Sequence, residues 1–139
     1  MNPENIRLVQ DSFAQVAPIA DQAAELFYGR LFEVAPQVKP LFKGDMRKQG
    51  AMLMQTIGLA VKSLNDLSTI EPALRKMGQR HVGYGAQPAH YAVVGDCLLW
   101  TLQQGLGEAF TPEVKAAWAE TYQTLADVMI EEYQASAAA

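Results

Sequence analysis

A chain of 139 residues, half of them hydrophobic, is long enough for one domain whose core can enclose a ligand, and we take residues 1–139 as that domain. The formal net charge of −4, with Lys and Arg scattered along the chain, argues against nucleic acid as a partner. No apolar run approaches the roughly 20 residues that span a bilayer, which predicts a cytoplasmic protein with no membrane partner. The single cysteine, Cys97, excludes an intrachain disulfide and any multi-cysteine metal site, and we expect it to be a small buried hydrophobe.

Apolar residues recur at steps of three and four along the chain, which predicts an all-α fold of about seven helices. Asn2 followed by a proline is a strong helix start, and the buried stripe of this first helix includes Ile6 and Val16. A second helix is predicted to begin near residues 18–21 and to end at about Val34.

Residues 36–40 contain two prolines and permit only a short helical turn, so Phe42 lies where the chain bends into a loop. Another long helix is predicted from Arg47 onward. Its apolar face includes Leu53 and is interrupted by the polar Gln49.

Ser68, with Glu71 three residues later, is a capping-box signature that predicts the start of the next helix. On this helix Met77 and His81 share a face, and the glycines within 83–85 end it.

Two long helices, over about 88–104 and 112–133, are predicted to close the chain, the second with Thr111 as its N-cap. The short tail 135–139 is expected to be frayed.

His81 is the first candidate for chemistry, because an imidazole on an apolar helical face must either satisfy its polar atoms or bind a metal. Taken alone, a hydrogen-bonded core histidine is the more common case. Three other residues change the context: Gln49 interrupts an apolar face, Tyr28 lies among apolar residues, and Phe42 lies at a proline-bounded bend. Each also has an ordinary interpretation, Gln49 as a solvated side chain and the two aromatic residues as core.

Residues spread along nearly the whole chain resemble the globin domain of flavohaemoglobins and of single-domain bacterial haemoglobins. The likeness lies in the order and spacing of its parts rather than in one short motif. It implies the globin fold around a haem pocket, with haem b as the cofactor and O2, NO or CO as the ligand of the iron. The matching stretches are Phe27-Tyr28, 36–42, His81 with Gly85, His90-Tyr91, Val94-Gly95, Ala117-Trp118 and 126–128.

The resemblance makes His81 the proximal iron ligand, with its second ring nitrogen bonded to a backbone carbonyl or a polar side chain, for which Tyr91 matches the family's partner. On the other side of the porphyrin, Tyr28 and Gln49 would donate hydrogen bonds to the bound gas, and we predict tight oxygen binding. The other implied cofactor contacts are apolar, and they are Phe42, Leu53, Met77 and Val94.

The second histidine, His90, follows a glycine turn, and we expect it at a helix start rather than on the iron. One position departs from the family, because the glutamate that joins the proximal histidine and tyrosine is Tyr133 here, with Glu132 just before it. A shift of one residue turns a side chain by about 100° on a helix, so the sequence leaves open whether Glu132 substitutes.

Three functions fit the sequence. In the first, the oxygen-loaded protein oxidises nitric oxide to nitrate, and we expect this to require a separate reductase, since 139 residues leave no room for flavin and nicotinamide modules. In the second, the protein stores, delivers or senses a gas without catalytic turnover. In the third, it is a helical interaction protein without a cofactor. We expect a monomer or a weak dimer.

Overall fold

The computed structural model describes residues 2–138, and within them six α-helices are joined by short connections with no strand. The all-α prediction of about seven helices is therefore confirmed for this part of the chain. Four 3-10 helices, over Ala17–Ile19, Pro36–Leu41, Leu67–Thr69 and Gly107–Ala109, lie in the connections. The α-helices are α1 (Pro3–Val16), α2 (Ala20–Val34), α3 (Met46–Lys62), α4 (Glu71–Tyr84), α5 (Pro88–Leu106) and α6 (Pro112–Ala138).

Side-chain caps begin the first and last helices as the sequence predicts. The Asn2 side chain accepts a hydrogen bond from the backbone N–H of Asn5 at 2.7 Å. At the start of α6, the Thr111 hydroxyl accepts one from the backbone N–H of Val114 at 3.2 Å. Each cap satisfies a backbone donor that has no partner within its own helix.

The predicted capping box at Ser68 is wrong. Ser68 lies in a 3-10 helix and donates its hydroxyl to the Asp66 carboxylate, while α4 begins at Glu71 without a side-chain cap. A serine with an acceptor two residues back bonds locally instead of reaching forward to the helix.

A capping box is found instead at the start of α5. The backbone N–H of Gln87 donates to Nδ1 of His90 at 3.1 Å, and the Gln87 side chain accepts from the backbone of His90. The expectation that His90 is a structural residue at a helix start is confirmed.

The last helix is longer than predicted, because α6 continues past Tyr133 to Ala138. Alanine has the highest helix propensity, and the tail consists mainly of alanine, so it extends the helix instead of fraying after Tyr133. Ala139 lies outside the described residues. No helix within residues 2–138 combines the length and the apolar character needed to cross a bilayer.

The main core lies between α1, α2, α5 and α6. Trp118 is 2 % exposed at its centre, and its indole N–H donates to the Ser12 hydroxyl at 2.8 Å. Cys97 is also 2 % exposed and packs in this core, as predicted. Buried polar atoms are thus paired, which removes the penalty of burying them.

The helix α4 is supported from one side. It packs principally against α6 and only marginally against α2, α3 or α5 in the part of the chain that the structure describes. Gly78 makes the close approach possible, since a Cβ there would lie 3.0 Å from the Cα of Met129. Within residues 2–138, α4 therefore has no extensive contact with α2 or α3.

Replacing Gly78 with alanine is expected to lower the free energy of unfolding by about 1–3 kcal/mol, because the new methyl group meets the backbone of α6 and not a movable side chain. The better helix propensity of alanine, worth up to about 1 kcal/mol, does not offset this. Urea unfolding measures the difference.

The matched control is Gly29→Ala, since a Cβ at Gly29, also within a helix, would meet no atom within 4 Å. This control is expected to keep or raise stability. A Gly78→Ala protein as stable as the Gly29→Ala protein would contradict the close packing of α4 on α6.

Candidate functional site

His81 lies in the last turn of α4, and its Nδ1 lies 2.7 Å from the backbone carbonyl of Met77. Because a carbonyl only accepts hydrogen bonds, Nδ1 carries the proton and Nε2 presents its lone pair. Within residues 2–138 the structure gives Nε2 no hydrogen-bond partner. His81 is therefore an oriented imidazole whose ligating nitrogen is available.

The charge state of His81 fits the same conclusion. Burial lowers its pKa, the positive charge of Arg80 lowers it further, and the hydrogen bond to Met77 opposes both effects. The imidazole is therefore neutral at physiological pH, which is the form that binds a metal.

Two tyrosines lie beside His81. The ring centroids of His81 and Tyr84 are 5.6 Å apart, and those of His81 and Tyr91 are 6.4 Å apart. Tyr91 is buried, its pKa is raised by burial, and its backbone carbonyl accepts a hydrogen bond from the Tyr122 hydroxyl at 2.7 Å. Of the two partners expected for Nδ1, the structure has the backbone carbonyl and not Tyr91.

A cluster of aromatic residues joins α2 to the end of the proline-rich turn. The Tyr28 ring packs edge-on against Phe42 at 5.4 Å between centroids, and it stacks on Phe32 at 5.9 Å. Phe32 also meets Phe42 at 5.4 Å. The sequence reasoning missed Phe32, although its position one helical turn after Tyr28 would have placed it on the same face.

Tyr28 and Gln49 face each other across α2 and α3. Tyr28 is buried, and burial raises the pKa of its phenol to about 12, while a hydrogen-bonding contact with the Gln49 side chain acts in the opposite direction. Gln49 itself is exposed, so its expected place on a buried face of α3 is corrected. Met52, which the sequence places on the same face of α3, is 62 % exposed.

The other predicted contact residues occupy the margins of the core. Leu53 and Val94 are partly buried and pack against the main cluster, and Met77 is partly buried against the smaller clusters beside α6. Leu53 also lines an apolar cavity of about 10 Å³ that reaches Trp118. These side chains are therefore apolar, close to the core and still partly accessible.

The two groups of candidate residues approach each other where the turn before α3 meets the end of α4. A Cβ at Gly85 would lie 3.3 Å from Cδ2 of Leu41, so the two segments are in contact there. Gly85 has φ of +94°, a conformation that glycine adopts without strain and that ends α4 at this point. The turn that carries Phe42 and the helix that carries His81 thus meet at this point, and we call the region between α3 and α4, two helices without extensive contact with each other in the part of the chain that the structure describes, the cleft.

Glu132 does not reach the imidazole. Its carboxylate is paired with the Arg75 guanidinium at 3.4 Å, and Arg75 also binds Glu71 at 2.9 Å and Glu131 at 3.1 Å. His81 is thus left with a neutral carbonyl as its partner, and Glu132 does not take the place of the family's glutamate at Tyr133 in this structure.

The donor set fits an iron porphyrin and not a free metal ion. No group of three or more His, Cys, Asp or Glu side chains within the described residues could hold a metal ion by itself. A porphyrin supplies four nitrogen ligands of its own and needs one imidazole and an apolar cleft. His81 supplies the imidazole, and the partly buried Phe42, Leu53, Met77 and Val94 are apolar side chains of the kind that hold a porphyrin.

Comparison with known proteins agrees with this geometry. A family model described as Globin matches residues 25–129. The chain is 32 % identical over 133 residues to a flavohemoprotein of Rhodopirellula baltica and 28 % identical over 134 residues to one of Vibrio cholerae, covering 94 % of this chain in each case. It spans about a third of the length of these relatives, 33 % and 34 % respectively.

Solved structures share the whole fold. An engineered carbene transferase, made from a protein of Rhodothermus marinus provisionally named a nitric oxide dioxygenase, superposes with a TM-score of 0.90 at 26 % identity, covering 99 % of this chain and 97 % of that one. A bacterial globin of Campylobacter jejuni superposes with a TM-score of 0.87 at 24 % identity, covering 99 % and 100 %. The fold, the oriented imidazole and the family match lead to one conclusion: the chain belongs to the globin family, whose members bind haem.

Proposed function

We propose that this protein binds haem b through His81 and uses the iron to bind a diatomic gas, in the cytoplasm. The observation that carries this proposal is the hydrogen bond from Nδ1 of His81 to the Met77 carbonyl, which fixes the ring and leaves Nε2 available beside an apolar cleft. When bound, the haem supplies an iron site for O2, NO or CO and shifts negative charge onto the gas.

The side chains of the cleft would hold the porphyrin by apolar contact. Phe42 lies at the bend on one side, held by its edge-on contact with Tyr28, and Leu53 follows on α3. Met77 lies one helical turn before His81. Val94 on α5 completes the set of proposed contacts, and Tyr91 supports the His81 ring. Burial of a large flat apolar group against such residues favours binding by the hydrophobic effect.

Tyr28 and Gln49 are the proposed donors to the gas. Tyr28 holds its proton at Oη because burial raises its pKa to about 12, so the phenol remains a donor at every physiological pH. The Gln49 amide has two N–H groups and is already in contact with Tyr28. Donors preset toward developing negative charge stabilise it without having to reorganise.

The reaction that we propose is the oxidation of nitric oxide to nitrate. Both atoms of O2 join the nitrogen of NO, and NO, O2 and one electron together give nitrate, so each turnover needs one electron from a donor. The structural similarity to the Rhodothermus marinus protein, which is provisionally named a nitric oxide dioxygenase, supports this reaction, and a separate reductase protein would supply the electron. The alternative, storage or sensing of a gas, predicts one oxidation event and no sustained turnover.

Stopped-flow mixing separates the two functions. The oxygen-loaded protein is mixed with nitric oxide, alone and with a cellular reductase and its reduced nicotinamide. Sustained nitrate formation over many equivalents supports dioxygenation, while a single stoichiometric oxidation under both conditions supports storage or sensing.

Replacing His81 with glycine is expected to abolish the Soret absorption of the haem-loaded protein, because the proximal nitrogen is lost. Added imidazole should restore the band by occupying the space left by the side chain. Visible absorption of purified protein titrated with haemin measures both effects.

His90→Ala is the matched control, since His90 bonds to the backbone of Gln87 and caps α5. It should keep the Soret band and lose about 1 kcal/mol of stability. Equal spectra of the His81 and His90 variants would refute the assignment of His81 as the proximal ligand.

Replacing Tyr28 with phenylalanine is expected to raise the dissociation rate of O2 from the ferrous protein about ten- to hundredfold, as removal of a hydrogen bond worth about 1.5–3 kcal/mol predicts. Because the pKa of Tyr28 is about 12, the wild-type rate should not change between about pH 6 and about pH 10. Flash photolysis or ligand-replacement kinetics measure the rate.

Tyr84→Phe serves as the control, because Tyr84 is 57 % exposed beside His81 and is not a proposed donor to the gas. If both variants, Tyr28→Phe and Tyr84→Phe, release O2 at the wild-type rate, the Tyr28 hydroxyl does not stabilise the bound O2.

A further inference from the structure

The cations of this acidic protein are concentrated beside the cleft. Residues 39–48 and 76–84 together contain six Lys or Arg residues and one carboxylate, while the rest of the chain contains five cations and fourteen carboxylates. Along the sequence these cations look scattered, and only the fold brings the two segments together. We name the following residues the basic rim: Lys39, Lys43, Arg47, Lys48, Lys76 and Arg80.

Each residue of the basic rim lies within three residues of a candidate site residue along the chain. Lys39 and Lys43 flank Phe42, and the ammonium group of Lys39 lies 5.9 Å from the centroid of Phe32. Arg80 precedes His81, and its charge acts on that imidazole. In the same way Arg47 and Lys48 lie just before Gln49, and Lys76 lies just before Met77.

The rim cations are exposed, and no ion pair involves them. Among the described residues, the ion pairs belong to Arg7, Arg30 and Arg75, which lie outside the rim. The one carboxylate within the rim segments, Asp45, accepts a hydrogen bond from the backbone N–H of Arg47 at 2.8 Å and caps α3. No rim cation is therefore ion-paired with a carboxylate within residues 2–138.

We propose that the basic rim is the docking surface for an acidic electron-donor protein, which approaches the cofactor through the cleft. This inference rests on the proposed function, because it concerns delivery of the electron to the haem. A carboxylate-rich protein surface complements the rim and is steered toward it by the field.

The number and spread of the cations favour a protein over a small anion. Four of the six cations lie within residues 39–48 and two lie on α4, whereas the two carboxylates of a haem can engage only a few of them. An extended polyanion such as a membrane or a nucleic acid would also meet the surplus of carboxylates on the rest of the chain, which opposes its binding.

Reduction kinetics test the rim with the haem-loaded protein. The probe is a reduced acidic flavodoxin, mixed by stopped flow with the ferric protein at salt concentrations from about 20 mM to about 0.5 M. The rim variant is Lys43→Glu with Lys48→Glu. Its second-order rate at low salt is expected to fall at least about tenfold below wild type and to approach the wild-type rate at high salt, where charges are screened.

The control variant is Lys62→Glu with Lys115→Glu, which changes the net charge equally at two exposed cations outside the rim. Lys48 and Lys115 both lie near the beginning of a helix, so the added carboxylate has the same effect on the helix dipole in each case. The control should lose no more than about twofold in rate. A small uncharged hydroquinone should reduce all three proteins equally.

The outcomes distinguish failure of this inference from failure of the proposed function. A protein that binds no haem overturns the proposed function, and chemical shifts of the protein titrated with oxidised flavodoxin then still report whether the rim binds an acidic surface. Equal reduction rates for the rim and control variants of the haem-loaded protein would contradict the docking role of the basic rim and leave the proposed function standing. Binding to phosphatidylserine vesicles that the rim variant loses, with no effect on flavodoxin, would assign the rim to a membrane and overturn this inference.

Discussion

The close contact between α4 and α6 determines where His81 lies. Because α4 packs almost entirely on α6, the position of the imidazole is set by Gly78 against the backbone of Met129 and by Arg75 at the beginning of the same helix. A helix held from one side leaves its other faces free. In this fold that freedom creates a cleft beside His81, so packing on one side of α4 and access on the other have the same cause.

The polar groups near the cleft are divided into two sets by their hydrogen bonds. On the α4 side, Nδ1 of His81 and the hydroxyl of Tyr122 are committed to backbone carbonyls, which fixes orientation. On the α2 side, the Tyr28 hydroxyl keeps its proton and contacts the side chain of Gln49, which is an exposed residue. The first set provides rigidity and the second provides donors that can still act on a ligand.

Local signals in the sequence were sufficient to predict where the helices lie. They were insufficient to predict which side chains border the cleft. Periodicity and the caps at Asn2 and Thr111 placed the helices to within a few residues, because those signals act over one turn. The capping box predicted at Ser68 was wrong because the Ser68 hydroxyl bonds to the Asp66 carboxylate, two residues before it. The sequence could not predict that Gln49 is exposed, because the exposure of a helical face depends on how the other helices pack against α3, and that is a property of the complete fold.

The same limit applies to the contacts that complete the candidate site. Leu41 and Gly85 are in contact although more than forty residues separate them in the sequence. No pattern within either segment predicts this contact. By contrast, Met77 lies four residues before His81, so the fixed geometry of the helix could have suggested its carbonyl as the partner of Nδ1.

The choice of partner for His81 also bears on the chemistry. A neutral carbonyl polarises an imidazole less than a carboxylate does, and the carboxylate of Glu132 is held by Arg75. Arg75 itself binds two further glutamates, so releasing Glu132 would require disruption of an ion-pair cluster that joins α4 to α6. The arrangement that holds α4 in place therefore also keeps the Glu132 carboxylate away from the imidazole, so His81 has the neutral Met77 carbonyl as its partner.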